Sequence, residues 1–321
     1  IDALIGTDIG TEQPASVNAK IMNTEVVAGG GISVDVVSDA QINATILNSN
    51  VAIVATVGES DSISVGAIVA MNRLSTQAAA VIAEADQVRA DGGDISLSVV
   101  DTSTIVADVE ASALSVAVSK KSTAVSVGAS IARNQINNDM DVRIENIDGA
   151  GAADGLHASG DILLAATETA LIDASSVATA ISVAVSSGDS NAFSGGLATA
   201  NNVILGASNA GIIGSSVFAA GNIEIDASNN STTNAEIKST SVTVGATFGG
   251  KATGGSIGLS IARNFIGFDE PYDFNSIATD DGIYDFTTEQ GFVETLSQGD
   301  RVRLDSDLGS GLTGQTYEYT G

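Results

Sequence analysis

Cysteine and tryptophan are absent from the 321 residues, proline occurs twice, histidine once, and only 4% of the side chains are aromatic. Without cysteine there is no disulfide framework and no thiolate metal site, and a lone His157 leaves no second imidazole for a transition-metal centre. Basic residues are few as well. Twelve Lys and Arg stand against 39 Asp and Glu, a net charge of −27 that repels nucleic acid and anionic membrane while favouring solubility and cations. No run approaches the roughly 18 apolar residues of a membrane helix. Ile1 opens on neither a basic n-region nor an apolar h-region, so the chain reads as a mature piece or an excerpt of something longer.

What remains is small and β-forming, and it is periodic. The text Ser64–Asn72 recurs as Ser126–Asn134, Ser194–Asn202 and Ser256–Asn264, with Gly66, Gly128, Gly196 and Gly258 at its third position. The period is therefore 62, 68 and 62 residues. A second landmark runs in phase with the first: Gly31-Ile32, Gly93-Asp94-Ile95, Gly160-Asp161-Ile162 and Gly221-Asn222-Ile223 each open an alternating run. Two landmarks at one period are the mark of a repeat array, in which each unit packs on its neighbours.

Residues 1–14 stand outside the repeat, and Val17–Asn23 resembles the tail of a repeat whose beginning is missing. The rod is expected over 15–267, with repeats at about 31–90, 91–158, 159–219 and 220–267. Alternation of period two, as in Ile95–Val99 and Leu114–Val118, predicts strands nearly everywhere, including the Ala-rich Gln77–Ala90, whose aligned partner Asp139–Ile147 reads as strand. The breaks at 58–61, 119–122, 187–190 and 249–252 read as exposed turns. After them, one face carries Val125, Val127, Ala129 and Ile131, and the other carries Ser126, Gly128, Ser130 and Ala132. The small face fits close approach by the next sheet or by another copy, or an outward wall.

A repeat of this length divides into about three coils of roughly twenty residues, stacked near the ~4.8 Å strand spacing. The expected fold is all-β, a repeat β-solenoid of the parallel β-helix type with a small inserted β module. The alternative is stacked antiparallel hairpins in a β-sandwich. All four Tyr and five of eight Phe fall in the last 57 residues, so 268–321 is read as a separate acidic, aromatic module with short antiparallel runs at 283–287, 292–296, 301–305 and 316–320.

The texts Val127–Ile136, Gly299–Leu304 and Gly314–Gly321 resemble the repeats and inserted module of giant bacterial surface proteins of the filamentous-haemagglutinin-like, adhesin-like group. That resemblance covers nearly the whole chain. It implies a secreted β-solenoid of the adhesin kind, often with calcium-binding neighbours, and it supplies no catalytic motif.

Motifs for chemistry are sparse. His157, beside a Gly-Asp corner, reads as structural, and no Gly-x-Ser-x-Gly elbow joins a strand to a helix. Arg133 and Arg263 occupy equivalent positions beside Asn134 and Asn264 and are expected to make corner contacts. The metal candidates are Asp305 and Asp307, whose alternating oxygens share the opening of a calcium loop without its distant bidentate Glu. No catalytic or cofactor-binding residue is assigned, and calcium is the one cofactor suggested. The expected function is a non-enzymatic extracellular structural protein, an adhesin stalk or a subunit of a bacterial cell-surface filament. Its expected partners are copies of itself, end to end or laterally, and surface polysaccharide, with no nucleic acid and no membrane-spanning segment. The alternatives are a carbohydrate-active β-helix enzyme, a lyase or epimerase, and a sugar- or protein-binding module carried by 268–321.

Overall fold

The computed structural model describes residues 12–149 and 155–268, together with three short strands farther on. The chain divides into two compact units, Ile1–Gly267 and Phe268–Gly321. In the first unit the chain winds into four stacked coils of parallel strands. After β1 (Ala15–Met22), the first coil holds β2 (Val26–Ala28), β3 (Ile32–Ser38), β4 (Gln41–Ala55) and β5 (Glu59–Ala85). The second repeats this as β6 (Gln87–Ala90), β7 (Ile95–Asp101), β8 (Thr104–Ser119) and β9 (Lys121–Ile147). The third is β10 (Gly155–Ala158), β11 (Ile162–Glu168), β12 (Leu171–Ser186) and β13 (Ser190–Ile213). The fourth is β14 (Val217–Ala219), β15 (Ile223–Asn229), β16 (Thr232–Thr247) and β17 (Ala252–Ile266). Equivalent strands form four parallel sheets, and the one containing the longest strands runs in the order β1-β5-β9-β13-β17. The fold is a parallel β-solenoid.

One coil uses a whole repeat, not a third of one. Glu59 pairs with Lys121, Ser122 with Ser190 and Ser190 with Ala252, so the pairing offset reproduces the sequence period. The longer second period arises between Ile147 and Gly155, because Ala85 pairs with Ile147 while Gln87 already pairs with Gly155. The turns expected between long runs are solenoid corners: β4 and β5 run in opposite directions, but each pairs in parallel with its equivalent in the next coil. The tail-like segment before the first coil also falls in register, β1 pairing with Thr76–Ala83 of β5.

The coil's cross-section narrows from one end to the other, following the size of its inward side chains. At the wide end Ile32, Val34, Ile82, Ile95, Leu97, Ile144 and Leu164 fill a space enclosed by the short strands and the second half of the long one. A middle cluster includes Leu74, Ile105, Ile136, Ile172 and Ile204. At the narrow end only Ala117, Ala124, Ala184 and Ala192 remain, among inward Ser and Gly. There the two long strands of a coil form a thin arm, and its small face is the inner one: Ser126, Gly128, Ser130 and Ala132 are buried against the facing sheet. Close approach is what the recurring glycine of the first landmark serves within the chain, since a Cβ on Gly128 would lie 2.7 Å from the carbonyl oxygen of Thr179. Serine hydroxyls bridge the gap, Ser115 Oγ donating to the Ser62 carbonyl (2.7 Å) and Ser130 Oγ to that of Val109 (3.0 Å).

The second landmark is a corner clasp. Asp94 accepts the backbone N–H of Asp161 one coil away (2.7 Å), and Asp161 accepts that of Asn222 (2.6 Å). These carboxylates lie over Gly160 and Gly221, where any Cβ would collide with them. A further column turns the chain near the ends of β1, β5, β9 and β13: Asn23, Glu84, Asn146 and Gly214 are equivalent positions, all with positive φ between 52° and 56°.

In the second unit β18 (Phe286–Thr287) pairs in parallel with β19 (Arg301–Arg303), which pairs antiparallel with β20 (Thr316–Glu318). One of the two pairings is therefore parallel, where an antiparallel unit was expected. The run at 292–296 lies outside the described residues.

Candidate functional site

The alternating run opened by each Gly-x-Ile corner carries apolar side chains inward and then places a polar one at the same phase. Ile95, Leu97 and Val99 lead to Asp101; Ile162, Leu164 and Ala166 lead to Glu168. Pairing of β7 with β11 sets Glu168 directly beside Asp101 in the adjacent coil, and both residues are wholly buried. The column continues as Ser38 before them and Asn229 after them.

Hydrogen-bond donors line this carboxylate pair from the facing long strands. Thr76 Oγ1 donates to Asp101 Oδ2 (3.0 Å), and Asn138 Nδ2 donates to Asp101 Oδ1 (2.9 Å) and reaches Glu168 Oε1 (3.5 Å). The backbone N–H of Ser103 also serves Asp101 (2.9 Å). Glu168 Oε2 accepts from Asn229 Nδ2 (2.6 Å) and Ser208 Oγ (3.3 Å). Room for the longer Glu is made across the coil at Gly206, whose Cβ would fall 2.5 Å from Glu168 Oε2. Burial, and then the neighbouring Asp101, raise the Glu168 pKa to about 7, against the opposing pull of its Ser208 and Asn138 donors. Glu168 can therefore hold a proton near neutral pH.

A second polar column crosses the middle cluster. Asn72 Nδ2 donates to Asn134 Oδ1 (2.8 Å), Asn134 to Asn202 (2.8 Å) and Asn202 to Asn264 (2.9 Å), so the recurring Asn is an amide ladder through four coils. The inner rungs, Asn134 and Asn202, each use one donor and one acceptor on their equals, the arrangement a fixed period of side-chain amides allows.

Arg133 and Arg263, expected at corners, stand instead in mid-strand on β9 and β17, on the outer face, because their phase is opposite to that of the inward Asn134 and Asn264. His157 packs its ring 5.7 Å from that of Phe218, its partner one coil on. Asp305 and Asp307 lie outside the described residues. Among the described residues no group of three or more His, Cys, Asp or Glu side chains is placed to hold a metal ion, and no helix is long and apolar enough to cross a membrane.

Sequence reasoning singled out the Asn column but not Asp101 and Glu168. Their signal was phase, since both fall where the alternating run calls for an inward residue. No family model matches the chain, and neither a curated protein nor a solved structure does.

Proposed function

We propose that the chain is a non-enzymatic structural protein of the bacterial exterior, an adhesin stalk or a subunit of a cell-surface filament built from β-repeats. The observation that carries this reading is that the recurring polar residues bond to their own equivalents one coil away: Asn72 to Asn134 to Asn202 to Asn264, and Asp94 to Asp161 to Asn222. A position repeated to meet itself builds an axis, whereas a catalytic group has to face a substrate. The location on the bacterial surface rests on the resemblance of the repeats and the 268–321 module to filamentous-haemagglutinin-like proteins.

End-to-end continuation belongs to the same reading. In the fourth coil the inward Ile223 and Ile225 are 51% and 47% exposed, and among the described residues the strands of that coil pair on one side only. An added coil would cover both the apolar groups and the strand edge. Electron microscopy of the purified chain over a range of concentrations tests this: rods that lengthen with concentration are expected, and compact single particles throughout would overturn it. Calcium held by Asp305 and Asp307 and a surface polysaccharide as ligand are parts of the proposal that stand on sequence alone. A melting curve unchanged between chelator and about millimolar calcium removes the metal.

A further inference from the structure

The thin arm of the solenoid is built with its large apolar side chains outward. On the β5-β9-β13-β17 face Ile63, Val65 and Ile257 are 66%, 57% and 75% exposed; on the β4-β8-β12-β16 face Val51, Ile53 and Val244 are 59%, 67% and 46% exposed. Sheets with one wet face ordinarily put the apolar side in and the polar side out. Here Ser, Gly and Ala occupy the interior, so both outer faces are apolar patches of the kind that mark a contact surface.

Charge at the base of the arm identifies the occupant. On the first face the outward row Met71, Arg133, Asn201 and Arg263 carries cations in the second and fourth coils. On the opposite face the outward row Thr45, Asp108, Ser175 and Glu236 carries carboxylates in the same two coils. The rows lie at matching distances from the turn: Arg133 is twelve residues beyond Lys121 and Asp108 eleven before Ser119, while Arg263 is twelve beyond Lys251 and Glu236 eleven before Thr247. Glu110 and Asp173 add to the acidic side, where Lys238 is a cation, and Arg73 adds to the basic side, on which Glu59 and Asp61 of the first coil stand nearer the turn, Glu59 paired with Lys121 (3.4 Å).

We infer that this arm is a lateral self-association surface, on which the arginine face of one copy stacks against the carboxylate face of the next. Simple translation of one copy across the thickness of the arm sets Arg133 over Asp108 and Arg263 over Glu236, with the Val and Ile patches between them and the turn. Twelve residues at ~3.3 Å by four strands at ~4.8 Å give each face a footprint of about 750 Å², so a contact removes about 1,500 Å² in all. That is the size of a stable specific interface. Because the two faces differ, the contact is heterologous, and because the copies are related by translation it does not close, so copies add side by side into a sheet of rods. Opposed rows of charge set the register and suppress slippage by a strand, and the apolar patches supply the attraction.

This lateral contact is separate from the end-to-end continuation proposed above, and the two fail separately. The test uses the full chain as wild type, Arg133→Asp, Asp108→Arg, the double exchange, and Val127→Ser, with far-UV circular dichroism checking that each is folded. Sedimentation velocity and electron microscopy read the width of the assemblies. The wild type is expected to form particles several rods wide, less so at high salt. Each single charge reversal is expected to weaken association about 10-fold, as is the serine variant, and the double exchange to restore it to within about 3-fold. Folded single variants that assemble like the wild type, a double exchange that recovers nothing, or wild-type rods one molecule wide at every concentration would overturn the inference. Rods one molecule wide that bind phosphatidylcholine vesicles would overturn it in favour of a lipid-facing arm.

Discussion

Asp101 and Glu168 are register partners in adjacent coils, and both carboxyls are buried among amide and hydroxyl donors. Two like charges one strand spacing apart in a low-dielectric interior disfavour the doubly ionised state. Glu168 accordingly has its pKa raised to about 7 in the folded chain, above the ordinary value of 4.5 it regains on unfolding.

The stability consequence has a definite sign. A group whose folded pKa lies above its unfolded value takes up a proton on folding, so its contribution is fully present below about pH 4.5 and is lost as the pH rises through about 7. Chemical denaturation is expected to give a stability lower at pH 8 than at pH 5 by on the order of 2 kcal/mol. Glu168→Gln keeps an acceptor for Asn229 and carries no charge, so it is expected to raise stability at pH 8 and flatten the profile. A pH dependence identical in that variant would place its origin elsewhere.

The Asn ladder makes a second expectation, because a rung in the middle serves two neighbours. Asn134→Ala leaves the Asn72 donor and the Asn202 acceptor both unmatched in the interior, and is expected to cost about 2–4 kcal/mol. Asn72 sits at the end of the ladder, so Asn72→Ala strands one group and is expected to cost about half as much. Denaturant midpoints of the two variants at equal m-values check the ratio, and equal losses would show that the rungs do not act as a chain.

The glycines of the arm separate a required small residue from a tolerated one. A Cβ on Gly128 would sit 2.7 Å from a backbone oxygen of the facing sheet, whereas Gly195, in the next coil and pointing outward, has nothing within 4 Å of its Cβ position. Gly128→Ala is expected to destabilise by about 1–3 kcal/mol through overpacking. Gly195→Ala is expected to be neutral or to stabilise by up to about 1 kcal/mol, since it loses only unfolded-state freedom. Thermal melts of the two variants decide it, and the reverse order would contradict the close approach of the sheets.

The sequence carried the period because Gly66, Asn72 and the Gly-x-Ile corners each meet their own equivalents, and a residue that must match itself recurs. It did not carry the size of a coil. Strand spacing fixes the rise from one coil to the next but says nothing of its circumference, and the 27 residues of β9 run unbroken through wide end and arm alike. Alternation likewise tells which residues share a face and not which face is in. Ser126 and Gly128 looked as apt for an outer wall as for an inner one until the facing sheet was in place at Thr179. Asp101 and Glu168 were legible by phase, yet two acids 67 positions apart become a pair only once β7 and β11 are laid side by side.

The left-handed column at the end of the long strands holds one residue out of keeping with its neighbours. Asn23, Asn146 and Gly214 suit a positive φ, since glycine has no Cβ and asparagine can bond locally, but Glu84 at φ 56° gains neither advantage. Its carboxylate does accept a bond from Asn146 Nδ2 (2.7 Å), which ties the two coils at this corner. Asparagine at this position would ease the backbone and present its own amide oxygen to the same donor, continuing a column already begun by Asn146. Glu84→Asn is therefore expected to stabilise the fold by about 0.5–1 kcal/mol, and Glu84→Ala, which loses the bond without easing the backbone, to destabilise it by a similar amount. Denaturation of both variants at pH 7 measures this, and a loss of stability in Glu84→Asn would mean that the reach of the glutamate to Asn146 outweighs the strain of its backbone.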